Sequence, residues 1–218
     1  MTPLLTLRGA QAGYDGRPVL HGLDLVLQPG EHVSVLGKSG SGKSTLLGLL
    51  YGRLAAQAAL IPQAAALVRP LSVFHNVYMG RLDRHSTWRN LRMLAWPARA
   101  EVAAVRGVLD LVGLGDSLHA RAGALSGGQQ QRTSVARALY NGRPVVIGDE
   151  PVSALDPVQA AAILGLMRER HQTLILAMHD VGLALACTDR VIVLDAGRVV
   201  LDAPSRTLSE NDLLQFYG

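Results

Sequence analysis

The feature that most constrains the fold is the segment Gly37-Lys38-Ser39-Gly40-Ser41-Gly42-Lys43-Ser44-Thr45, which sits between the apolar run 32–36 and Leu46, Leu47, Leu49 and Leu50. The run before it reads as a strand, and the leucines after it read as the apolar face of a helix. A strand, a loop of the form G-x4-G-K-S and a helix, in that order, make a phosphate-binding loop. Its glycines let backbone N–H groups turn inward around the phosphates. Lys43 reaches the outer phosphates, and Ser44 offers a hydroxyl to Mg²⁺. The positive end of the helix dipole adds a favourable potential for an anion. Arg occurs nineteen times in the chain, whereas Lys occurs only twice, at Lys38 and Lys43. Lysine is thus kept where a compact, mobile ammonium is useful.

A second apolar run, Val145-Val146-Ile147, ends in Gly148-Asp149-Glu150. Beside a phosphate loop, Asp149 is placed to hold Mg²⁺ through water. Glu150 is placed to polarise the water that attacks a terminal phosphate.

The rest of the pattern frames these two segments. Leu23, Leu25 and Leu27 alternate with Asp24, Val26 and Gln28 up to the Pro29-Gly30 turn, as in a strand. Residues 63–140 read as helical, with Val102, Val105, Leu109 and Val112 at helical spacing and Gly113 and Gly115 marking that helix's end. Strand character returns at 174–178, and 191–201 reads as a hairpin around Asp195-Ala196-Gly197. The order is an α/β core, a helical insertion and a return to the core.

The 218 residues suffice for one sizeable core, and 49% hydrophobic with 17% charged residues excludes a disordered chain. A formal charge of +4 and a pI near 9.6 allow an acidic partner. With Cys187 the only cysteine, no intrachain disulfide is possible. The first residues lack the basic patch and long apolar core of a signal peptide. The longest apolar stretch, 174–187, is broken by His179-Asp180, so no segment of this sequence is expected to cross a bilayer.

Between the phosphate loop and the acidic strand lies Leu125-Ser126-Gly127-Gly128-Gln129-Gln130-Gln131-Arg132. Ser126 can cap a helix opening at about Gln129, and Gly127 and Gly128 leave backbone N–H groups open to a phosphate. At this position the octapeptide resembles the signature segment of ABC-family ATPases. The resemblance runs from about Leu4 to Pro204. It implies a single α/β domain: a phosphate-loop NTPase core sheet with N-terminal antiparallel strands (1–63 and 141–218) and an inserted α-helical subdomain (64–140). It implies ATP and Mg²⁺ as ligands, and a dimer in which Ser126, Gly127, Gly128 and Gln129 grip the nucleotide held by the other subunit. On the same resemblance Gly37, Lys38, Ser39, Gly40, Ser41, Gly42, Lys43, Ser44 and Thr45 form the phosphate loop, and Tyr14 stacks on adenine. Ser44, Gln63 and Asp149 attend the metal, with Gln63 also facing a permease. Asp156, in Ser153-Ala154-Leu155-Asp156, belongs to the loop that crosses the dimer interface. Glu150, His179 and Gln63 attend hydrolysis.

One departure from the family is visible. Only 18 residues, 45–62, separate Ser44 from Gln63, and the Ala-rich stretch 54–60 replaces a strand pair with a Gly-rich turn. This leaves the position of Gln63 to be found.

Fusion to membrane helices, common in exporters, is absent here, and Ala122-Gly123-Ala124 lacks the Glu-containing pattern common before the exporter signature. Gly80-Arg81-Leu82 with Ser86-Thr87-Trp88-Arg89-Asn90-Leu91 is similar to an insertion in ATPases of phosphonate importers. The implied partners are permease subunits, a second ATPase and, indirectly, a periplasmic or extracellular solute-binding protein. The implied location is peripheral, on the cytoplasmic face of the inner membrane. A soluble ABC ATPase acting on nucleic acid or ribosomes is the alternative, with Arg81, Arg84, Arg89 and Arg92 as its footprint. The lack of a second cassette or coiled-coil arm counts against it, so no nucleic acid is expected.

Overall fold

The computed structural model describes residues 2–14 and 16–217. Strands β1 (Leu5–Tyr14) and β2 (Arg17–Leu27) form an antiparallel ribbon. After β3 (His32–Leu36) come α1 (Lys43–Leu54) and β4 (Ala58–Ile61). The next elements are all helical: α2 (Val73–Tyr78), α3 (Thr87–Ala95), α4 (Arg99–Leu111) and α5 (Gly127–Asn141), joined by short 3-10 turns. The chain then returns to the sheet through β5 (Val145–Asp149), α6 (Pro157–Arg170), β6 (Thr173–Ala177), α7 (Val181–Cys187), β7 (Arg190–Asp195), β8 (Arg198–Pro204) and the short α8 (Glu210–Leu214).

Strand order in the main sheet is β4-β5-β6-β3-β7-β8, parallel throughout except for β8. Both faces are buried, and side-chain alternation assigns each residue to one of them. Val33, Val35, Val145, Ile147, Ile175, Ala177, Ile192 and Leu194 pack with α1 and the β1–β2 ribbon. Their neighbours Val146, Leu174, Leu176, Val191 and Val193 pack with α5, α6 and α7. This leaves the C-terminal ends of β3, β5 and β6 side by side, where parallel α/β sheets bind ligands.

The leucines after the phosphate loop do supply the buried face of α1. Leu46, Leu47, Leu50 and Leu54 are buried, while Leu49 is only partly so. Val105, Leu109 and Val112 are buried, α4 stops at Leu111, and Gly113 follows with φ +67°. The expected hairpin is β7–β8, with Ala196 and Gly197 both at positive φ. Two expectations need correction. The signature helix α5 opens at Gly127, two residues before Gln129. The Ala-rich segment holds a strand: three residues after α1, Ala58 to Ile61 pair with β5 as the sheet's edge. No strand pair intervenes, and β4 delivers Gln63 to the ligand-binding edge of the sheet.

Candidate nucleotide-binding site

The loop from Gly37 to Gly42 is held from below. Gly37 has φ +140°, and a Cβ there would lie 2.2 Å from the Leu194 carbonyl oxygen, so only glycine fits. Gly197 is equally constrained: at φ +73° its Cβ would meet the Val19 carbonyl oxygen at 1.8 Å. From there Gly197 N–H donates to Ser41 O (3.0 Å), and Gly197 O accepts from His21 N–H (3.0 Å). The β7–β8 turn thus bolts the loop to β2. The Tyr217 hydroxyl accepts from Gly37 N–H at 3.2 Å.

Gly42 is the N-cap of α1 and offers no side chain to its N–H groups, which stay free for an anion. Lys43 folds back over the loop and donates from Nζ to Gly37 O (2.6 Å) and Lys38 O (3.0 Å). Burial lowers its pKa below the ordinary 10.5, and the carboxylates of Glu150 and Asp149 push the other way.

Opposite the loop, three strand ends meet at one carboxylate. Glu150 follows β5 in a left-handed conformation, φ +52°, with its N–H donating to Ala177 O at 3.0 Å. Its Oε1 lies 2.6 Å from His179 Nε2, beyond β6, and accepts from Gln63 Nε2, beyond β4, at 3.2 Å. A cavity of about 330 Å³ separates the two groups. Ser39, Gly40, Gly42, Lys43, Ser44 and Thr45 form one side, and Gln63, Glu150 and His179 the other. Val19 of β2 also lines it, a position that sequence reading passed over because a valine in a strand carries no chemical signal.

The remaining expected residues lie outside this cavity. Within the loop Gly37 and Ser41 are buried and Lys38 is exposed, and Asp149 ends β5 half-buried. Tyr14, at the end of β1, is 63% exposed. Asp156 caps α6, its Oδ1 accepting from Val158 N–H (3.1 Å) and Gln159 N–H (3.0 Å). Ser126 caps α5 in a reciprocal box: Gln129 N–H donates to Ser126 Oγ (3.3 Å), and Ser126 N–H to Gln129 Oε1 (2.9 Å). Gly127 and Gly128 stay uncovered enough for this helix end to face a second molecule.

Sequence reading also missed Gln131. Its Nε2 donates to Glu150 O (2.6 Å) and Ser153 Oγ (3.1 Å), and its Oε1 accepts from Ala154 N–H (2.7 Å). Gln131 therefore ties the signature helix to the loop after β5. The available signal was its phase, since Gln131, Val135 and Ala138 share the buried stripe of α5.

Among the described residues no group of His, Cys, Asp and Glu could hold a metal unaided. Ser44 on the cavity wall and Asp149 at the end of β5 are hard oxygen donors of the kind that suits Mg²⁺.

A sequence profile described as ABC transporter matches residues 20–153. The chain belongs to the ABC transporter family. The phosphonates import ATP-binding protein PhnC of Anaeromyxobacter dehalogenans is 38% identical over 99% of this ABC chain, which spans 48% of that relative's length. The same-named protein of Caulobacter vibrioides is 33% identical, over 99% of this chain and 94% of the relative. Among solved structures, the dimeric ATP-binding cassette MJ0796 in a post-hydrolysis state bound to ADP and Pi superposes with TM-score 0.81 at 24% identity, covering 92% of this chain and 98% of that one. A bacterial Atm1-family ABC exporter with ATP bound gives TM-score 0.75 at 28% identity, covering 98% of this chain and 40% of that one. The fold is that of an ABC ATPase cassette, and no nucleic-acid role is named among these relatives.

Proposed function

We propose that this cassette is the ATP-hydrolysing subunit of an importer for phosphonates or related phosphorus oxyanions, working in pairs on the cytoplasmic face of the inner membrane beneath a separate permease. The observation that carries this reading is the convergence of the Lys43 loop and the Glu150–His179–Gln63 group on one cavity. The solute class comes from the relatives' names.

In this mechanism the triphosphate lies along the loop, its charge met by Lys43 and the free N–H groups of α1. Tyr14 stacks on the adenine. Ser44, Asp149 and Gln63 would hold Mg²⁺, which would supply charge neutralisation for the transferred phosphate. Glu150 accepts a proton from the attacking water as the bond between γ phosphorus and ADP breaks. His179, in contact with the same carboxylate, keeps it aimed. Ser126 to Gln129 cover the nucleotide of the other subunit, with Asp156 at the interface. A groove of about 580 Å³ beside β4, walled by Leu60, Pro62, Met79 and Arg137, receives the permease and so links its movement to Gln63.

The test pairs Glu150→Gln with reconstitution. In proteoliposomes holding the permease and the solute-binding protein, ATP should drive uptake of radiolabelled methylphosphonate. Glu150→Gln should keep ATP binding while losing about 10²–10⁴ in turnover. Near-normal turnover would remove Glu150 from its role, and ATPase activity without phosphonate uptake would refute the solute class.

A further inference from the structure

Both tryptophans of the chain flank the same helix and are left in solvent. Trp88 near the start of α3 is 79% exposed, and Trp96 just after its end is 77% exposed. Leu91 and Leu94 are exposed as well, and Met93 is the one buried residue of the helix. At about 100° per residue, Trp88, Leu91 and Ala95 share one side, roughly opposite Met93. The apolar stripe of α3 therefore faces outward, the reverse of a helix that packs only on its own core. Beside it, Leu91 and Leu94 wall a hollow of about 250 Å³ with Tyr78, Met79 and Leu82.

The charge around this helix is equally uneven. Residues 81–106 hold six arginines against Asp83 and Glu101, a surplus of four that equals the formal charge of the whole chain. Asp83 pairs with Arg143 from outside the segment, and Glu101 with Arg89 at 2.8 Å. Arg81 and Arg84 donate to the neutral carbonyls of Tyr140 and Asn141, and Arg92, Arg99 and Arg106 are exposed.

We propose that α3 is a membrane-contact helix. The rings of Trp88 and Trp96, with Leu91 and Leu94, enter the headgroup layer of an anionic bilayer while the surrounding arginines pair with lipid phosphates. Indole rings are favoured at that depth, and guanidinium groups lay their stems on apolar surface while binding phosphate. A protein partner would use the leucines but leave the charge surplus unexplained. A nucleic acid would use the charge and the rings but leave Leu91 and Leu94 in water. An anionic lipid surface uses both. The proposal rests on the reading that the cassette works at a membrane. Its deciding readout, binding to lipid vesicles, requires neither nucleotide nor permease, so its failure leaves the ATPase and import readings standing.

Trp88 and Trp96 are the only tryptophans, so intrinsic emission reads this face without a label. Mixing the protein with phosphatidylglycerol–phosphatidylcholine vesicles should shift the emission to the blue and carry the protein with the vesicles in flotation. Pure phosphatidylcholine should do much less, and salt should reverse the effect. Arg92→Glu should weaken binding about tenfold, and Leu91→Ser should weaken it in low and high salt alike, with thermal melting and ATP binding unchanged in both variants. Absence of binding to anionic vesicles would overturn the proposal. So would binding as tight as wild type by the two folded variants, or an emission shift produced by detergent-solubilised permease or by RNA but not by vesicles.

Discussion

Replacing Gln131 by alanine isolates one side chain that joins two functional segments. Gln131 is 6% exposed, and its amide is the partner of Glu150 O, Ser153 Oγ and Ala154 N–H. Truncation takes the amide away from a backbone carbonyl and a backbone N–H, at about 1–3 kcal/mol each when nothing replaces the lost bond. Ser153 can still donate to Glu150 O, at 3.3 Å, so the lower half of that range applies, about 2–4 kcal/mol in all. For a chain of this size that corresponds to a fall in Tm of about 4–16 °C. Glu150 sits at φ +52°, a conformation that costs a non-glycine residue about 1–2 kcal/mol and that persists only while its surroundings enforce it. With Gln131 gone the carboxylate should lose its aim, so kcat should drop at least tenfold while ATP affinity, set by the Lys43 loop on the other side of the cavity, holds. Differential scanning calorimetry, ATPase kinetics and equilibrium nucleotide binding measure the three quantities. Gln131→Met keeps the length without the polar atoms and should behave like the alanine variant. A Gln131→Met protein with wild-type Tm and kcat would refute the reasoning, because packing alone would then hold the loop.

Lys43→Ala should weaken ATP binding and turnover together, and Lys38→Ala far less; equal losses in a binding titration would put the loop in the wrong register. Ser126→Arg should bind nucleotide but fail to close, and mixing it with Lys43→Ala subunits should restore some turnover through the one intact composite site. A covalently tethered dimer still active with both Ser126 positions mutated would disprove that arrangement. Glu101 is held below its ordinary 4.5 chiefly by the Tyr140 hydroxyl, with Arg89 assisting against the opposing effect of burial. Its stabilising contribution is therefore complete above about pH 4.5 and is lost as pH falls through the lower folded value. Glu101→Gln should be less stable than wild type at pH 7, with the gap closing in acid. A gap that stays constant from pH 7 to pH 3 in denaturant titrations would contradict this.

What the sequence revealed and what it hid follow from the reach of each signal. Gly37, Lys43 and Ser44 are neighbours in the chain, and their spacing is their geometry, so the loop could be read directly. The sheet was readable where Val, Ile and Leu alternate or run together, as at 145–147. Ala58 to Ile61 escaped because alanine has little strand preference; its place is set by pairing with β5, a contact 87 residues away. The meeting of Gln63, Glu150 and His179 likewise depends on the strand order β4-β5-β6, which no local pattern encodes. Gln131 looked like one more residue of a polar run, and its phase with Val135 and Ala138, which buries it, is what sets it apart from Gln129 and Gln130. The loss of the strand pair cast doubt on Gln63, yet β4 carries it to within 3.2 Å of Glu150.

The shortness of β4 bears on how this protein avoids sticking to itself. An edge strand offers unpaired backbone groups to any passing chain, and a flat apolar edge invites end-to-end pairing. With no hairpin beyond it, β4 is that edge, and its four residues are all apolar. Arg143 blunts it: one guanidinium nitrogen donates to Ala55 O (2.6 Å) and Ala58 O (3.1 Å), and another pairs with Asp83. The carbonyl that would begin a foreign ladder is thus already engaged, by a side chain that brings positive charge to the approach. Only a few residues of strand remain beyond it, too little to template an intruding chain. A salt bridge that would count for little in the stability of the fold can in this way decide whether the protein stays dispersed at high concentration.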